Sequence, residues 1–504
     1  MADIALILTS VIFALLVLVG AFYFLVYFQH PEDKWTAWFP KVVVILGISL
    51  SAYNLFLLPF DVGNQSGEFT TTGIPMGPIA SGFYITSVAI VLVAVPFTVY
   101  FYEGVDDSDE SDEKSSSNSQ LGYALKWLLP TLIFIAAIIF VMYWFIPGIA
   151  DVPAVRVTGT LTPFDTTGQI PGSVPDYMRN LCTATTCISQ PGVYHAGISP
   201  FVYIVAVVSL VGWIIFSIFG GVGIVSFPFD LIMGWVYRPK HISATEYAER
   251  KKMIGEQSQI LMEAGKTLQE ELKEASRNGK SNRMMRRLRL KENEFRKDVL
   301  ILEYHYRRLE DCYKRQGGNL LLQILKLVAG LISIVLSVVW IIQVSIYQLP
   351  KILGTLPISA FLNDFLENVS PIPFIGTSFY AVFAFYILVC VIKGVEKLGM
   401  RILIISIHPL RFGETMMNSL VFNTGIVLLC SLSVAQFCSQ NFDKYGRYTT
   451  VSAVFGSQLA YFRGIHYGYD ASPFILLGFV VLTFLYTLYR PYKKQRENVL
   501  DFKW

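Results

Sequence analysis

The chain has 504 residues, of which 53% are hydrophobic, 14% are aromatic and 15% are charged. Soluble domains carry roughly 25% charged residues, so this composition excludes an ordinary soluble globular protein. Basic and acidic residues almost cancel, leaving a formal net charge of +3, and we expect no nucleic-acid partner.

Nine apolar runs follow one another along the chain. An apolar helix of about 20 residues crosses the hydrocarbon core of a bilayer and satisfies its own backbone hydrogen bonds. The runs lie at residues 3–28, 42–60, 83–102, 122–147, 200–226, 319–348, 373–392, 415–438 and 472–490. We therefore predict an all-α fold, a polytopic transmembrane helical bundle with nine transmembrane helices and a cytosolic helical hairpin between the fifth and the sixth.

Basic residues predict the orientation of these helices, because cytosolic segments of membrane proteins carry an excess of Lys and Arg. If the N-terminus lies outside, few of the 40 basic residues fall in outside segments: Arg156, Arg179, Lys351, Lys444, Arg447 and Arg463. We expect an integral multi-pass protein with an outside or lumenal N-terminus and a cytosolic C-terminus. The plasma membrane and endolysosomal membranes are both open as its location.

This topology divides the chain into four parts. Residues 1–236 hold the first five helices with a large outside loop, and residues 237–317 form a cytosolic segment. Residues 318–490 hold the last four helices, and residues 491–504 are a cytosolic tail. The first helix carries Asp3 in place of the basic residues that open a signal peptide, so we expect a retained anchor.

The outside segments carry features of an oxidising, secretory compartment. Asn64 and Asn368 each begin an N-x-S glycosylation acceptor. Cys182 and Cys187 are separated by four residues in the longest outside loop, where we predict that they form a disulfide. Chance sequons and free thiols are the alternatives.

The cytosolic segment carries two heptad patterns. Apolar residues recur every seven positions in both of its halves: Ile254, Leu261 and Leu268, then Leu288, Phe295, Leu302 and Leu309. Such spacing is typical of helices packed along a seam. The turn-forming residues Ser276–Lys280 separate the halves, which predicts an antiparallel helical hairpin.

Five basic residues cluster where the second arm of this hairpin begins. They are Arg283, Arg286, Arg287, Arg289 and Lys291. A basic start to an amphipathic helix favours contact with anionic lipid or with a protein partner. A solvated charged face is the alternative.

Polar residues inside the membrane runs are few. No Asp, Glu, Lys, Arg or His lies near the middle of any run, which argues against an ion-coupled pump. Asn54, Asn418, Asn423 and Gln436 are expected to form hydrogen bonds between helices, with solute contacts as the alternative. Asp61 falls at a helix end, where we expect its carboxylate to reach water.

The sequence contains no motif that assembles a catalytic group. P-loop, H-E-x-x-H, G-x-S-x-G and C-x-x-C patterns are all absent. We predict that the protein is not an enzyme and has no cofactor, metal site or catalytic residue.

Five stretches of the chain resemble signatures of one membrane protein family, the lipocalin-interacting membrane receptor (LIMR) or limb-region-like family. The most extensive is Ile404–Asn423, and the other four are Tyr27–Asp33, Leu57–Val62, Ile218–Ile224 and Leu459–Ile465. They occur in family order over essentially the whole chain. The resemblance is closest to the plant and protist branch.

The resemblance implies nine helices, an outside N-terminus and a long cytosolic segment after the fifth helix. Family members are described as endocytic receptors for lipocalins, as partners in lysosomal cobalamin export and as modulators of signalling. A lipocalin-like or small-molecule ligand, a protein partner in the membrane or the cytosol, and contact with the lipid bilayer are therefore expected.

Three functional classes remain. A receptor or scaffold fits the outside loops and the cytosolic hairpin best. A carrier or transport accessory for a neutral or amphipathic solute is second, and it requires a water-filled path lined by the four intramembrane Asn and Gln residues. A lipid-handling protein is third, since a groove between helices needs no charges.

Overall fold

The computed structural model describes residues 2–30, 33, 38–65, 74–103, 116–159, 187–236, 242–277, 291, 295, 298–299, 302–303, 305–307, 309–310, 312–313, 320–369, 373–398, 401–402, 405–406, 410, 415–447 and 449–489. Most of this part of the chain is helical. Within it, nine helices are long and apolar enough to cross a membrane, which confirms the predicted number.

The helices are α1 Ala2–Phe28, α2 Trp38–Gln65, α3 Met76–Glu103, α4 Ser116–Phe145, α5 Pro200–Val236, α6 Ala244–Arg277, α7 Leu320–Ile352, α8 Phe361–Val369, α9 Pro373–Leu398, α10 Met417–Asn441, α11 Thr450–Ser452 and α12 His466–Tyr489. Turns of π-helix lie within α3 at Ile90–Ala94 and within α7 at Val344–Gln348, and a third, Ala453–Leu459, continues α11. The bilayer favours helices because it offers no water to the backbone.

A β hairpin between α4 and α5 departs from the predicted all-α fold. Strands β1 Ile149–Gly159 and β2 Cys187–Gly197 pair antiparallel, with Asp151 opposite His195. Each strand contains a proline, Pro153 and Pro191, and proline within a run argues against a strand in sequence. The prediction missed the hairpin for this reason. A two-residue pairing of Arg401–Ile402 with Ile405–Ser406 forms a second antiparallel strand pair.

Helix α10 forms the core. It is the least apolar of the nine long helices and the most buried. It packs against α2, α3 and α9. The central position of the least apolar helix is consistent with membrane packing, since lipid solvates an apolar helix as well as a neighbouring helix does.

Helices α5 and α9 touch backbone to backbone through glycines. A Cβ atom added to Gly223 of α5 would lie 1.7 Å from the carbonyl oxygen of Cys390 in α9, and one added to Gly394 would lie 2.0 Å from that of Phe219. Gly221 approaches α12 in the same way, at 2.7 Å from the Leu476 carbonyl oxygen. Gly221 and Gly223 thus allow α5 to approach two neighbouring helices closely.

The chain forms two compact units. The first consists of Met1–Ile224 and Val338–Val480, and the second consists of Val225–Ser337 and Val481–Trp504. Each boundary falls inside a long helix, so the units do not follow the loops that separate helices in sequence.

In the second unit, α6 and the helical residues after it run antiparallel. Tyr247, near the start of α6, stacks on Tyr313 with ring centroids 4.1 Å apart. Further along α6, Gly265 lies against the ring of Phe295. Residues later in α6 thus contact residues earlier in the segment that follows it, as expected for antiparallel helices. Their apolar core consists of Ile242, Ile254, Leu309 and Cys312.

Candidate functional site: the polar core around helix α10

A buried hydrogen-bonded cluster joins three helices at the middle of α10. The side-chain amide of Asn54 in α2 donates to Ser87 of α3 at 3.0 Å and to Ser431 of α10 at 3.1 Å. All three residues have no exposed surface. Hydrogen bonds between membrane helices contribute about 0.6 to 2 kcal/mol each, so this cluster fixes α2 and α3 against α10.

A second cluster joins α10 to α5, five residues further along. Oε1 of Gln436 accepts hydrogen bonds from Ser209 at 3.1 Å and from the Trp213 indole at 2.8 Å. These two donors fix the amide, because its oxygen must face them. Nε2 of Gln436 is buried and has no partner among the described residues. An unpaired buried amide costs about 1 to 3 kcal/mol, and this nitrogen is therefore a candidate contact for an acceptor.

At the end of α10, the side chains of neighbouring elements satisfy its last carbonyls. The main-chain oxygen of Asn441 accepts from Gln343 at 3.0 Å and from Asn363 at 2.7 Å. The Asn441 side chain donates to Gln348 at 3.0 Å. The final carbonyls of a helix lack partners within the helix, so these amides act as a cap that connects α7 and α8 to α10.

The start of α10 is capped by an aspartate from far along the chain. Asp33 accepts a hydrogen bond from the main-chain nitrogen of Met417 at 2.9 Å and another from the Tyr102 hydroxyl at 2.9 Å. A carboxylate at this position pairs a free N–H and interacts favourably with the helix dipole. Beside it, His30 donates its N–H to the carbonyl of Thr415 at 3.0 Å. The signature stretch Tyr27–Asp33 thus contacts the signature stretch Ile404–Asn423.

Asp61, in the signature stretch Leu57–Val62, has a similar role for α11. Its carboxylate accepts from the main-chain nitrogens of Thr450 at 2.7 Å and Val451 at 3.3 Å. The residue has no exposed surface. The expectation that this carboxylate reaches water is therefore wrong, since two backbone donors take the place of water.

The β hairpin is fixed to the segment between α11 and α12. The guanidinium group of Arg463 binds both carboxylate oxygens of Asp151, at 2.7 and 3.0 Å, and His195 of β2 contacts the same carboxylate at 2.6 Å. Main-chain hydrogen bonds join Asp151 to Tyr461 at 2.9 Å and Arg463 to Ile149 at 3.0 Å. Hydrogen bonds from Arg463, and then from His195, lower the pKa of Asp151.

The structure does not bring the four predicted intramembrane residues into one site. Asn54 and Gln436 belong to separate clusters, as described above. Asn423 donates to the Ser419 carbonyl of its own helix at 2.8 Å, and Asn418 donates to Glu103 at 2.9 Å at the start of α10. These polar groups are distributed along the length of α10.

Several predicted site residues lie outside the described residues, namely Cys182, Arg283, Arg286, Arg287 and Arg289. Cys187 is the first residue of β2, and its disulfide stays a prediction. Lys291 pairs with Glu271 of α6 at 3.2 Å. Cys312, Cys390, Cys430 and Cys438 are buried and are not joined in disulfides.

The two predicted glycosylation sites differ in their surroundings. Asn64 exchanges two hydrogen bonds with the backbone of Ile74, at 3.0 and 3.2 Å, and so links the end of α2 to the segment before α3. Asn368 is exposed in the last turn of α8. Glycosylation stays a prediction at both.

Sequence reasoning missed the partners and the caps. Ser87, Ser431, Ser209 and Trp213 are common membrane-helix residues, and nothing local marks them as partners of an amide. Asp33, Asp61 and Arg463 lie in signature stretches, and this was the available signal for their roles. In the described part of the chain, no group of three His, Cys, Asp or Glu side chains is arranged to hold a metal ion.

Comparisons with known proteins identify the family of the chain. The sequence profile of LMBR1-like membrane proteins matches residues 5–296 and 282–488. A LIMR family protein of Dictyostelium discoideum is 32% identical over 522 residues, covering 98% of this chain and 99% of that protein. A LIMR family protein of Arabidopsis thaliana is 31% identical, covering 98% of this chain and 98% of that protein. One of rice is also 31% identical, covering 97% of this chain and 96% of that protein. No solved structure matches the chain.

Proposed function

The chain belongs to the LIMR family of multi-pass membrane proteins, and we propose that it acts as a receptor-like scaffold, which binds a ligand or membrane partner outside and recruits partners in the cytosol. The observation that carries this proposal is the β hairpin fixed to the helices through Asp151 and Arg463. A hairpin is not needed to connect two membrane helices. Binding residues commonly lie on loops that a rigid scaffold positions.

The second strand of the hairpin offers a surface for such binding. Val193 and Tyr194 are 57% and 65% exposed, and they point to opposite faces because side chains alternate along a strand. Within the described residues, β2 pairs along one edge, with β1. An open strand edge with exposed apolar side chains favours the addition of an extended segment of a partner.

We place this hairpin outside the cell or in a lumen. The charge distribution of the short segments supports that orientation. The same placement exposes Asn64 and Asn368 to glycosylation and the Cys182–Cys187 pair to oxidation. The helical hairpin of the second unit is then cytosolic, and its cluster from Arg283 to Lys291 contacts an anionic leaflet or a protein.

The polar core around α10 favours a scaffold over a carrier. A carrier needs polar side chains that face a water-filled path. Here the amide of Asn54 is used between helices, and that of Asn423 is used within its own helix. We propose no catalytic role, because the sequence offers no catalytic motif.

Quantitative capture from native membranes tests the proposal. The intact chain is compared with a variant that carries Val193→Asp and Tyr194→Asp, which places two charges on the exposed surface of β2. Proteins bound specifically by the intact chain should be lost from the variant. Ser359→Asp is the matched control, since Ser359 is exposed in the segment between α7 and α8, and this change should leave capture intact.

Two outcomes would contradict the proposal. Identical captured proteins for all three chains would exclude the β2 surface as the binding site. Uptake of labelled neutral solutes by liposomes that contain the purified chain, at rates above those of empty liposomes, would replace the scaffold with the carrier.

A further inference from the structure

An apolar slot lies among four helices of the first unit. Its cavity volume is about 210 Å³, and its walls are aliphatic side chains of α3, α4, α5 and α10, among them Leu92, Ile135, Ile138, Val207, Val211 and Leu429. The slot opens to the surface that faces lipid, because Ile138 is 43% exposed and Val211 is 48% exposed.

Two contacts of α4 flank the slot. The Tyr100 hydroxyl of α3 meets Thr131 of α4 at 3.0 Å. Near the other end of α4, Tyr143 packs edge-on against Tyr203 of α5, with ring centroids 5.2 Å apart. The two contacts are separated by about 18 Å along α4 at 1.5 Å per residue. Ile135 and Ile138 lie between them.

A turn of π-helix forms the opposite wall. It covers Ile90–Ala94 in α3, and two of its residues, Val91 and Leu92, line the slot. A π-turn inserts an additional residue into a helix, and such turns are rare and often lie at functional sites. Val91 and Leu92 thus line the slot from within the turn.

The occupant must come from the bilayer. Leu429 and Leu92 lie near the middle of α10 and α3, so the slot is at the depth of the hydrocarbon core, where water is absent. Empty apolar cavities are destabilising, and those that open to an apolar phase take up apolar molecules. Pockets for drug-sized ligands occupy about 300 to 1,000 Å³. A slot of this size fits one hydrocarbon chain, and a helix of about 10 Å diameter does not fit.

We propose that the slot binds an acyl chain of a membrane glycerophospholipid. Its walls carry no polar atom among the described residues that would recognise the hydroxyl group of a sterol. Aliphatic walls without aromatic rings also match a flexible acyl chain. This inference does not depend on the receptor-like role.

Photo-crosslinking tests the proposal in the full-length chain. The protein is reconstituted in nanodiscs of phosphatidylcholine that contain a small fraction with a diazirine in the acyl chain, and the labelled peptides are mapped after illumination. We expect labelling of the slot-lining peptides of α4 and α5 several-fold above that of the lipid-facing residues of α1, which meet only bulk lipid.

Variants that fill the slot make the test specific. Ile138→Phe and Val211→Phe each place a larger side chain into the cavity, and each should reduce labelling of the lining peptides several-fold. Ile133→Phe is the matched control, because Ile133 of α4 is 69% exposed to lipid and does not line the slot. It should leave the labelling unchanged.

Four results would overturn the proposal. Uniform labelling of all lipid-facing helices in the unaltered protein would show that the slot holds no lipid chain, and this result does not require any variant to fold. Equal labelling in Ile138→Phe, Val211→Phe and Ile133→Phe would place the bound lipid elsewhere. Loss of the label on addition of cholesterol would identify a sterol as the occupant. A crosslinked dimer through α4 would identify a second copy of the chain.

Discussion

Helices α4 and α10 belong to the same bundle and differ in almost every respect. Helix α10 is the most buried of the nine long helices and the least apolar, whereas α4 is the most exposed and strongly apolar. Hydrogen bonds to α2, α3 and α5 hold α10 along its length. Helix α4 packs against α3, and its hydroxyl pair with Tyr100 and its aromatic contact with Tyr203 lie on either side of the apolar slot.

This difference follows from the bilayer as a solvent. Lipid solvates apolar side chains as well as a neighbouring helix does, so burial of leucine gives little driving force for association. Close contact of small residues and hydrogen bonds between helices must supply it. A helix with few of them, such as α4, remains at the edge, and a helix rich in them, such as α10, becomes the centre.

The largest expected effect comes from replacing a glycine of α5 that contacts α10. A Cβ atom at Gly212 of α5 would lie 2.6 Å from the backbone carbonyl oxygen of Leu429, while one at Gly122 of α4 meets nothing within 4 Å. Overpacking costs about 1 to 3 kcal/mol and occasionally more, and a rigid carbonyl cannot move aside. Gly212→Leu should therefore lower thermal stability in detergent strongly, and Gly122→Leu should not.

Size-exclusion chromatography after stepwise heating measures both variants. Equal retention of monodisperse protein for Gly212→Leu and Gly122→Leu would contradict the distinction between the two helices. Loss of monodisperse protein for Gly122→Leu, but not for Gly212→Leu, would reverse the distinction.

A somewhat smaller effect is expected from Gln436→Leu. This change removes the acceptor for Ser209 and Trp213, and loss of the partner of a buried donor costs about 1 to 3 kcal/mol. Thr131→Val is the corresponding change in α4, where Tyr100 is only partly buried and loses little. Thermal unfolding of both variants gives the comparison. A melting temperature for Gln436→Leu at or above that of the unaltered protein would show that the cluster does not stabilise α10.

Hydropathy and charge predicted the nine helices because each helix is a local property of about 20 consecutive residues. They did not predict which helix is central. Centrality depends on pairs such as Asn54 with Ser431 and Gly212 with Leu429, which are far apart in sequence. The order of burial among the helices is therefore a tertiary property.

The same limit applies to the ends of the helices. Asp61 and Asp33 were visible as residues of signature stretches, but their partners are main-chain N–H groups of Thr450 and Met417. A backbone N–H has no sequence signal of its own. The strands were hidden by Pro153 and Pro191, and the hairpin is stabilised by Arg463, which follows β2 by more than 250 residues.

Capping of α10 should contribute a moderate amount. Asp33→Ala removes the acceptor for the Met417 N–H, and loss of an N-terminal cap costs about 0.5 to 2 kcal/mol. Asp33→Asn keeps an acceptor oxygen and should retain most of the stability. Thermal unfolding of the two variants is the measurement. If they lose the same stability, the charge of Asp33, and not its hydrogen bond to Met417, is what matters at this position.

The smallest effect concerns acid and the β hairpin. Arg463, and then His195, lowers the pKa of Asp151 below its ordinary value of 3.8. A carboxylate with a depressed pKa stabilises the folded state above that ordinary value, and the stabilisation is lost only as the pH falls through the lower, folded pKa. The attachment of β1 to Arg463 should therefore persist at pH 5, where many acid-triggered switches have already changed state.

Hydrogen exchange of the β1 and β2 amides should show equal protection at pH 7 and pH 5, after correction for the intrinsic exchange rate, and Asp151→Asn should lower protection at both. Arg463→Lys keeps the charge but loses the two-point contact. The protection of its β1 and β2 amides should therefore lie between that of the unaltered protein and that of Asp151→Asn. Selective loss of protection at pH 5 in the unaltered protein would show that another group controls the hairpin.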